Sequence, residues 1–275
     1  MKNNYLPEEA IITDIEEKHP EVRLFRLRFT NPGAQERFSF YPGQFIMLSI
    51  CGSGEMALTL ASSPLEKHTL EILVRKVGRV SRALFNLKSH DKVLVRGPYG
   101  RGFEPEKIEG KNLVLIAGGL GIAPLRSIIE YIAWNRKRFG EVTIFVGARK
   151  PELLVPRDEF PLWEKFAKLH LIVEKKDERW RGAVGVITKL LHPETASCEN
   201  CVAICVGPPM MYKFVAQKLS ELGFKNENIL FSLERHIKCG VGLCQRCTCN
   251  GHYICKEGPV FSLEEIERDL PDAIA

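Results

Sequence analysis

The feature that most constrains this chain is a group of cysteines near its carboxyl end. Five of the nine cysteines lie in this group, and four of them follow the spacing Cys239-x4-Cys244-x2-Cys247-x7-Cys255. Iron–sulfur clusters and zinc both select soft thiolate ligands. The C-x4-C-x2-C…C spacing is typical of plant-type [2Fe–2S] sites. The sequence therefore predicts that these four cysteines hold a [2Fe–2S] cluster.

A structural zinc site with the same four ligands is the alternative. Zinc ribbons usually pair two C-x2-C motifs at a wider separation, whereas the first gap here is four residues. Gly240 and Gly242 favour the cluster, because glycine lets the backbone turn tightly and point its N–H groups at sulfide. We interpret the fifth thiol, Cys249, as a non-ligand, with a substitute ligand role left open.

A second and weaker group is Cys198-x2-Cys201-x3-Cys205, with His192 nearby. A small zinc site is one interpretation of it. Cys205, however, falls in a predicted buried strand, where a free cysteine behaves as a small hydrophobic residue. A core position is therefore favoured.

Composition excludes several classes of protein. Hydrophobic residues make up 45% and charged residues 27%, which is ordinary for a folded, soluble chain. A net charge of +5 without a dense Lys/Arg run argues against nucleic-acid binding. The first twenty residues lack a signal-peptide core, and the longest apolar run, Leu113–Leu125, is too short to span a bilayer. We therefore expect a cytoplasmic protein without membrane insertion, whose clustered cysteines serve metal or redox chemistry rather than disulfides.

The first hundred residues are predicted to form short strands separated by turns, which favours an antiparallel barrel or sandwich. A short helix over Ser81–Leu87 is expected to lie over one barrel opening. The predicted strands include Val22–Phe29, Gln44–Ile50, Leu70–Lys76 and Lys92–Arg96.

After Gly110 strands alternate with helices, which predicts βα units on a parallel sheet. The predicted strands are Asn112–Ala117, Val142–Val146, Leu169–Glu174 and Ala203–Val206. Helices are predicted near Pro124–Arg138, Asp158–Lys168, Val184–Leu191 and Met210–Glu221. The cysteine-rich remainder, from about Ser232, is expected to be mostly loop. We accordingly divide the chain into residues 1–106, 107–231 and 232–275.

A glycine-rich string over Gly118–Pro124 follows the first of these strands and opens a helix. Glycine permits close backbone approach, and a helix N-terminus offers N–H groups and a positive dipole end to a pyrophosphate. An ordinary strand–turn–helix joint is the alternative. The candidate dinucleotide contacts are Gly118, Gly119, Gly121, Ala123 and Pro124.

Two further motifs follow strands of the same predicted sheet. Gly207, Pro208 and Met211 come directly after Ala203–Val206, at a strand's carboxyl end, where ligands bind in open α/β sheets. Arg149 follows Val142–Val146 and could meet the 2′-phosphate of an adenine ribose, or simply be a solvated surface charge.

The motifs occur in a recognisable order along nearly the whole chain. They are Pro42–Phe45, the strand carrying Thr59, Lys76–Ser81, Gly97–Gly100, Gly118–Pro124 and Val206–Met211. This order resembles the ferredoxin–NADP+ reductase superfamily. With the four cysteines and Gly258–Phe261, the chain resembles the electron-transfer subunits of dihydroorotate dehydrogenase and of anaerobic sulfite reductase, and the gamma subunits of cytoplasmic nickel–iron hydrogenases (sulfhydrogenases).

The resemblance implies a Greek-key barrel that binds FAD over 1–106, an α/β domain that binds NAD(P)H over 107–231, and a small cluster-binding subdomain over 232–275. It implies that the candidate flavin contacts are Leu58, Thr59, Leu60, Ala61, Val74, Arg75, Lys76, Val80 and Ser81.

The chain departs from the superfamily at two positions. The R-x-[FY]-[ST] flavin motif corresponds to Met56–Thr59, which keeps the hydroxyl but lacks the arginine and the aromatic residue. Arg75, Lys76 or the N–H groups of Val80–Ser81 are the candidates to neutralise the FAD pyrophosphate instead. Val206 stands where many relatives carry cysteine, and Cys205 would point to the opposite face of the strand.

The resemblance implies hydride transfer from NAD(P)H to the flavin, followed by single-electron transfer through the cluster to a partner, without a catalytic acid or base. The segment Glu234–Phe261 favours the other subunits of a nickel–iron hydrogenase as that partner. Sulfite reductase, dihydroorotate dehydrogenase or another multi-subunit oxidoreductase are alternatives. A non-enzymatic scaffold stabilised by zinc is the remote one.

Overall fold

The computed structural model describes residues 5–196 and 199–274, and its first sheet is a six-stranded antiparallel barrel. The strand order is β4-β3-β6-β1-β2-β5, so non-consecutive strands are neighbours, as a Greek key requires. Its strands are β1 (Glu8–His19), β2 (Val22–Phe29), β3 (Phe45–Ile50), β4 (Gly54–Thr59), β5 (Leu70–Arg75) and β6 (Lys92–Tyr99).

The second sheet has seven strands in the order β10-β9-β8-β7-β11-β12-β15. All its pairs are parallel except β12 with β15, which is antiparallel. Its strands are β7 (Asn112–Gly118), β8 (Val142–Ala148), β9 (Lys168–Val173), β10 (Ala183–Val184), β11 (Cys201–Val206), β12 (Ile229–Ser232) and β15 (Val260–Ser262). A small ribbon is formed by β13 (Thr248–Cys249) and β14 (His252–Tyr253).

Two longer helices pack on the second sheet, and the other helices are short. The helices are α1 (Pro32–Arg37), α2 (Arg79–Phe85), α3 (Pro105–Ile108), α4 (Ile122–Trp134), α5 (Phe160–Trp163), α6 (Pro209–Glu221), α7 (Ile254–Glu257) and α8 (Leu263–Asp269). In the described residues, none of them has the length and apolar character that a membrane span requires.

Three apolar cores explain why these segments fold as they do. One fills the barrel, where alternate residues such as Ile46 and Leu48 point inward. The other two cover the two faces of the second sheet, which is why β7 and β11 are continuous apolar runs. The core on one of these faces also joins the barrel residues Phe45, Met47 and Tyr99 to Cys247 and Cys255 of the carboxyl-terminal segment.

The predicted fold class, a barrel followed by a parallel α/β sheet, is confirmed. The strand β1 was not predicted, because its sequence is polar and acidic. It forms because Asp14 and Glu16 pair with Arg26 on the neighbouring β2, while Ala10 and Ile12 are fully buried.

Two helix predictions are wrong in part. Val184–Leu191 contains the end of β10 and a 3-10 turn over Ile187–Leu190, and Gly185 between them has a φ of +139° that a helix does not allow. The helix near Asp158–Lys168 ends at Trp163, because Lys168 pairs with Thr143 at the start of β9. Sheet pairing thus overrides local helix preference at both places.

Residues 232–275 are attached directly to the second sheet. Leu230, Phe231 and Ser232 of β12 pair with residues of β15, which comes from this segment. Helix α8 begins with a capping box, in which Ser262 accepts from the Glu265 N–H and Glu265 accepts from the Ser262 N–H. The segment therefore extends the edge of the α/β sheet instead of standing apart from it.

Candidate functional site

The four predicted cluster cysteines lie between β12 and β15, in two pairs. The Cys244 N–H donates to Cys239 Sγ at 3.4 Å, and the Cys255 N–H donates to Cys247 Sγ at 3.5 Å. In residues 5–196 and 199–274, no three His, Cys, Asp or Glu side chains are grouped to hold one metal ion. Four cysteine thiols, two from each pair, are the ligand set of a [2Fe–2S] cluster.

Backbone N–H groups point at the sulfurs, as a cluster of negative charge requires. The Leu243 and Cys244 N–H groups donate to Cys239 Sγ at 3.3 and 3.4 Å, and the Gly242 N–H donates to Cys255 Sγ at 3.2 Å. Gly240 and Gly242 have φ of +77° and +78°, the left-handed conformation that glycine tolerates. The loop therefore fits an iron–sulfur cluster.

The same N–H groups change the acidity of the first thiol. Burial alone would raise the pKa of Cys239, but the N–H groups of Val241, Cys244 and Leu243 lower it to about 6. Burial and the neighbouring Cys247 thiol raise the pKa of Cys255 to about 12. The N–H groups thus favour the thiolate form of Cys239, which is the form that binds metal.

Three of the other cysteines have surroundings that the structure describes. Cys249 is buried, and its sulfur accepts a hydrogen bond from Arg235 Nη2 at 3.2 Å. Cys201 and Cys205 are buried within β11, as the core interpretation expects, and burial raises the pKa of Cys205 well above its ordinary value. Cys198 lies outside the described residues.

The predicted dinucleotide motifs meet at the carboxyl ends of β7 and β11. A Cβ on Gly121 would overlap the Val206 carbonyl, and a Cβ on Gly207 would lie 3.1 Å from Gly118 Cα. Met211 fills the remaining space, since a Cβ on Gly118 would lie 2.6 Å from its Sδ. Glycine at these positions lets two backbone turns approach each other closely.

The other residues predicted to contact the dinucleotide surround this turn. Gly119 is exposed with open space where a Cβ would be, whereas Ala123 and Pro124 are buried in the first turn of α4. Pro208 is exposed at the start of α6, and Arg149 is exposed beyond β8. Register places Gly118 beside Gly147 of β8, so Arg149 follows at the same edge of the sheet.

The predicted flavin residues occupy both faces of the barrel wall. Leu58, Leu60 and Val74 belong to the barrel core. Thr59 lies on the outer face, paired with Phe45, which in turn pairs with Tyr99. Thr59 therefore faces the side where the carboxyl-terminal segment packs.

The cations proposed to replace the missing flavin arginine are exposed. Arg75 Nη2 lies 3.7 Å from a Glu21 carboxylate oxygen, and Lys76 Nζ lies 5.7 Å from the centre of the Phe85 ring. The structure adds Arg79, whose Nη2 lies 3.2 Å from the position of a Cβ on Gly54 in β4. Gly54 is two residues before Met56, the position of the lost arginine. Arg79 lies within the Lys76–Ser81 motif, but the sequence alone assigns it no role.

Ser81 and Ala61 have structural roles of their own. Ser81 Oγ accepts hydrogen bonds from the Val77 and Gly78 N–H groups and closes the turn that starts α2. Val80 is half-buried against the barrel core. The Ala61 carbonyl accepts from Arg126 Nη1 at 2.9 Å. Ser81 and Ala61 thus fix the backbone around the site.

An ion-pair network joins the barrel to helix α4. The Arg126 guanidinium pairs with Glu71 of β5 at 2.5 Å, with Glu130 at 2.7 Å and with Glu159 at 2.7 Å. The Ser63 N–H donates to Glu130, and Ser127 Oγ donates to the Ser62 carbonyl. Sequence reasoning missed this network, because contacts such as those of Arg126 with Glu159 and Ala61 join positions 33 and 65 residues apart. The network fixes β5 and residues 61–63 relative to helix α4, which follows the Gly118–Gly121 turn.

Three family models match the chain in succession. The oxidoreductase FAD-binding domain matches residues 9–103, and the oxidoreductase NAD-binding domain matches residues 115–217. The iron-sulfur cluster binding domain of dihydroorotate dehydrogenase B matches residues 234–267.

Individual relatives match over nearly the whole length. The sulfhydrogenase 1 subunit gamma of Pyrococcus furiosus is 41% identical, with 89% of this chain and 86% of the relative covered. The probable dihydroorotate dehydrogenase B (NAD(+)) electron transfer subunit of the same organism is 35% identical, again with 89% and 86% covered. A chain in the solved structure of an NADH-dependent reduced ferredoxin-NADP oxidoreductase has a TM-score of 0.75 and 28% identity, covering 100% of this chain and 95% of that one.

These comparisons confirm the superfamily and the cofactors predicted from the motifs, namely FAD, NAD(P)H and an iron–sulfur cluster. They also confirm an oxidoreductase subunit that transfers electrons between NAD(P)H and a partner. The chain belongs to the ferredoxin–NADP+ reductase-like family of electron-transfer subunits, with an iron–sulfur domain at its carboxyl end.

Proposed function

We propose that this chain is the electron-transfer subunit of a cytoplasmic nickel–iron hydrogenase. It would move electrons between NAD(P)H and the catalytic and iron–sulfur subunits of that enzyme, through FAD and a [2Fe–2S] cluster. The observation that carries the electron path is the contact between the cluster loop and the flavin barrel. A Cβ on Gly240 would lie 3.1 Å from the Tyr99 ring and 3.3 Å from Met47 Cγ.

In this proposal, residues of the chain bind and orient the dinucleotide and FAD. Gly118, Gly121 and Gly207 would receive the dinucleotide, and Arg149 would meet its adenine ribose. Thr59 and the Val80–Ser81 turn would hold FAD. When bound, the flavin supplies the conversion between two-electron hydride chemistry and single-electron transfer.

Buried apolar side chains exclude water from the space between strands β3 and β6 of the barrel and the cysteine-rich segment. Phe45, Met47 and Tyr99 are all at most 6% exposed and share one apolar core with Cys247 and Cys255. A dry, rigid space of this kind lets the chain hold the two redox centres at a fixed separation. No acid or base from the chain is needed, because the transferred groups are a hydride and electrons.

The domain limits and the cluster type form part of the proposal. We assign residues 1–106 to FAD, 107–231 to NAD(P)H and 232–275 to the cluster, with Cys239, Cys244, Cys247 and Cys255 as its ligands. The C-x4-C-x2-C…C spacing and the N–H groups directed at the sulfurs support a [2Fe–2S] cluster over zinc. A cytoplasmic location suits a cluster loop whose thiols need a reducing compartment.

The hydrogenase is favoured as partner because a sulfhydrogenase gamma subunit is 41% identical to this chain over the residues that match. Dihydroorotate dehydrogenase is the second candidate, supported by the 35% identical relative and by the family model for residues 234–267.

Anaerobic affinity purification of the full chain from its native host distinguishes the two partners. We expect hydrogenase subunits to co-purify, and the complex to reduce NAD+ or NADP+ with hydrogen. A Cys255→Ser chain should lose this hydrogen-linked activity but keep flavin-dependent reduction of ferricyanide by NAD(P)H. Recovery of a dihydroorotate-oxidising subunit, with no hydrogen-linked activity, would contradict the hydrogenase assignment.

A further inference from the structure

Arg96 connects the flavin barrel to the first cluster cysteine. Its Nε and Nη2 atoms donate to the two carboxylate oxygens of Glu55 at 2.7 and 2.5 Å. Its Nη1 atom donates to the backbone carbonyl of Cys239 at 2.7 Å. One planar guanidinium therefore bonds to Glu55 of β4 and to the Cys239 carbonyl at the same time, a geometry that a lysine side chain could not reproduce.

The two bonded groups lie close in the chain to residues of the two proposed redox sites. Glu55 lies on β4, four residues before Thr59, so both side chains are on the same face of the strand. Cys239 is the first of the four cysteines. Register places Arg96 beside Met47 and Met47 beside Ala57, which continues this face across three strands.

The pair is well shielded from solvent. The Arg96 side chain is 10% exposed and the Glu55 side chain 25% exposed. Ser49 Oγ also donates to Glu55 at 2.9 Å, which fixes the carboxylate further. Charges in such surroundings are screened less by water and salt than surface charges, so they act on nearby centres more strongly.

We propose that Arg96 is a positioning residue that holds the loop of Cys239 against strand β4 of the barrel. We also propose that the Arg96–Glu55 pair sets the reduction potential of the cluster. This inference rests on the proposed cluster at Cys239. The reduced cluster carries one more negative charge than the oxidised one. The Arg96 cation stabilises that charge, and the Glu55 carboxylate opposes it.

The two charges have opposite effects, and this separates the proposal from a purely structural ion pair. Arg96→Gln leaves Glu55 uncompensated near the cluster and should lower the midpoint potential. Glu55→Gln leaves Arg96 uncompensated and should raise it. Loss of packing alone gives no reason for shifts of opposite sign.

The test is a redox titration of the full chain, purified anaerobically and followed by the EPR signal of the reduced cluster. Shifts of opposite sign are expected for the two variants, each up to about tenfold in the equilibrium constant for reduction, or about 59 mV for one electron. Arg138→Gln is the matched control, since it breaks an Arg–Glu pair with Glu109 on the surface. Its midpoint potential should equal that of the wild type.

If Arg96→Gln fails to fold, Glu55→Gln still tests the sign of the shift in midpoint potential. Arg96→Lys should stay closer to the wild-type potential than Arg96→Gln, because lysine keeps the positive charge. Shifts of both variants in the same direction, or unchanged potentials with the EPR signal present, would overturn this inference and leave the proposed function standing. A wild-type chain without iron and acid-labile sulfide would instead overturn the proposed function.

Discussion

At the scale of single residues, the spacing of cysteines is a local property of the sequence, and the four proposed cluster ligands are predicted from it. Their spacing lies within seventeen consecutive positions, and the two glycines adopt the turns expected of them. Arg96 and Arg79 could not be chosen in this way. The Arg96 contact with Cys239 joins positions 143 residues apart, and no local pattern predicts it.

Cys247 and Cys249 offer a comparison between a predicted ligand and a neighbouring thiol. Cys247 Sγ accepts a hydrogen bond from the Cys255 N–H at 3.5 Å, whereas Cys249 Sγ accepts one from Arg235. We expect Cys247→Ser to lose most of the bound iron and sulfide, and Cys249→Ser to keep them. Iron and acid-labile sulfide analysis measures both. Loss of iron from Cys249→Ser alone would show that Cys249 is the ligand.

Arg79 is expected to neutralise the FAD pyrophosphate in place of the arginine missing at Met56. It lies against β4 at Gly54, whereas Arg75 lies near Glu21. Loss of one hydrogen bond to a charged group, about 1.5–3 kcal/mol, predicts roughly ten- to a hundredfold weaker FAD binding by Arg79→Gln. Titration of the apoprotein with FAD and with riboflavin measures the effect. Weaker FAD binding by the control Arg75→Gln, with Arg79→Gln unchanged, would contradict it.

At the scale of elements, strands buried on both faces were predicted best, because continuous apolar runs such as β7 have few other interpretations. The acidic strand β1 and the short β15 were missed, since their stability comes from partners that are distant in the sequence. β15 is held by β12, and its residue Val260 accepts hydrogen bonds from the Arg101 guanidinium at 2.6 and 2.9 Å.

Helix α6 carries a buried tyrosine that joins the dinucleotide turn to the start of the cluster segment. Tyr212 Oη donates to the Ser232 carbonyl at 2.5 Å and accepts from the Gly207 N–H at 3.2 Å. Tyr212→Phe leaves both buried groups without this partner, and we expect a loss of about 1–3 kcal/mol in the free energy of unfolding. The Michaelis constant for NAD(P)H should also rise.

Denaturant unfolding and steady-state kinetics measure these two effects. Tyr131→Phe is the control, because the Tyr131 hydroxyl accepts a long hydrogen bond of 3.4 Å from Arg138 Nη1. Equal destabilisation by the two variants would contradict the bridging role of Tyr212.

At the scale of the whole molecule, the Arg126 network predicts how stability changes with pH. Burial raises the pKa of Glu130 from its ordinary value of 4.5 to about 7, despite the neighbouring Arg126 cation. Between these values the folded chain binds more protons than the unfolded chain, so this group makes stability fall as pH rises.

Glu130→Gln removes the carboxyl group that titrates, and the glutamine side-chain oxygen can still accept the hydrogen bond from the Ser63 N–H. We therefore expect the variant to gain stability relative to the wild type as pH rises from about 5 to 8, with little gain below pH 4.5. Thermal unfolding midpoints across this range measure it. A difference in unfolding midpoint between variant and wild type that does not change with pH would contradict the raised pKa of Glu130.

The central claim is that electrons pass from a reduced nicotinamide through the flavin to the cluster within this one chain. An anaerobic titration of the purified full chain with NADH or NADPH tests it most directly, with absorption and EPR spectra recorded at each addition. We predict bleaching of the flavin bands together with the EPR signal of a reduced [2Fe–2S] cluster. Flavin bleaching with zinc in place of iron at the cysteines would contradict the account.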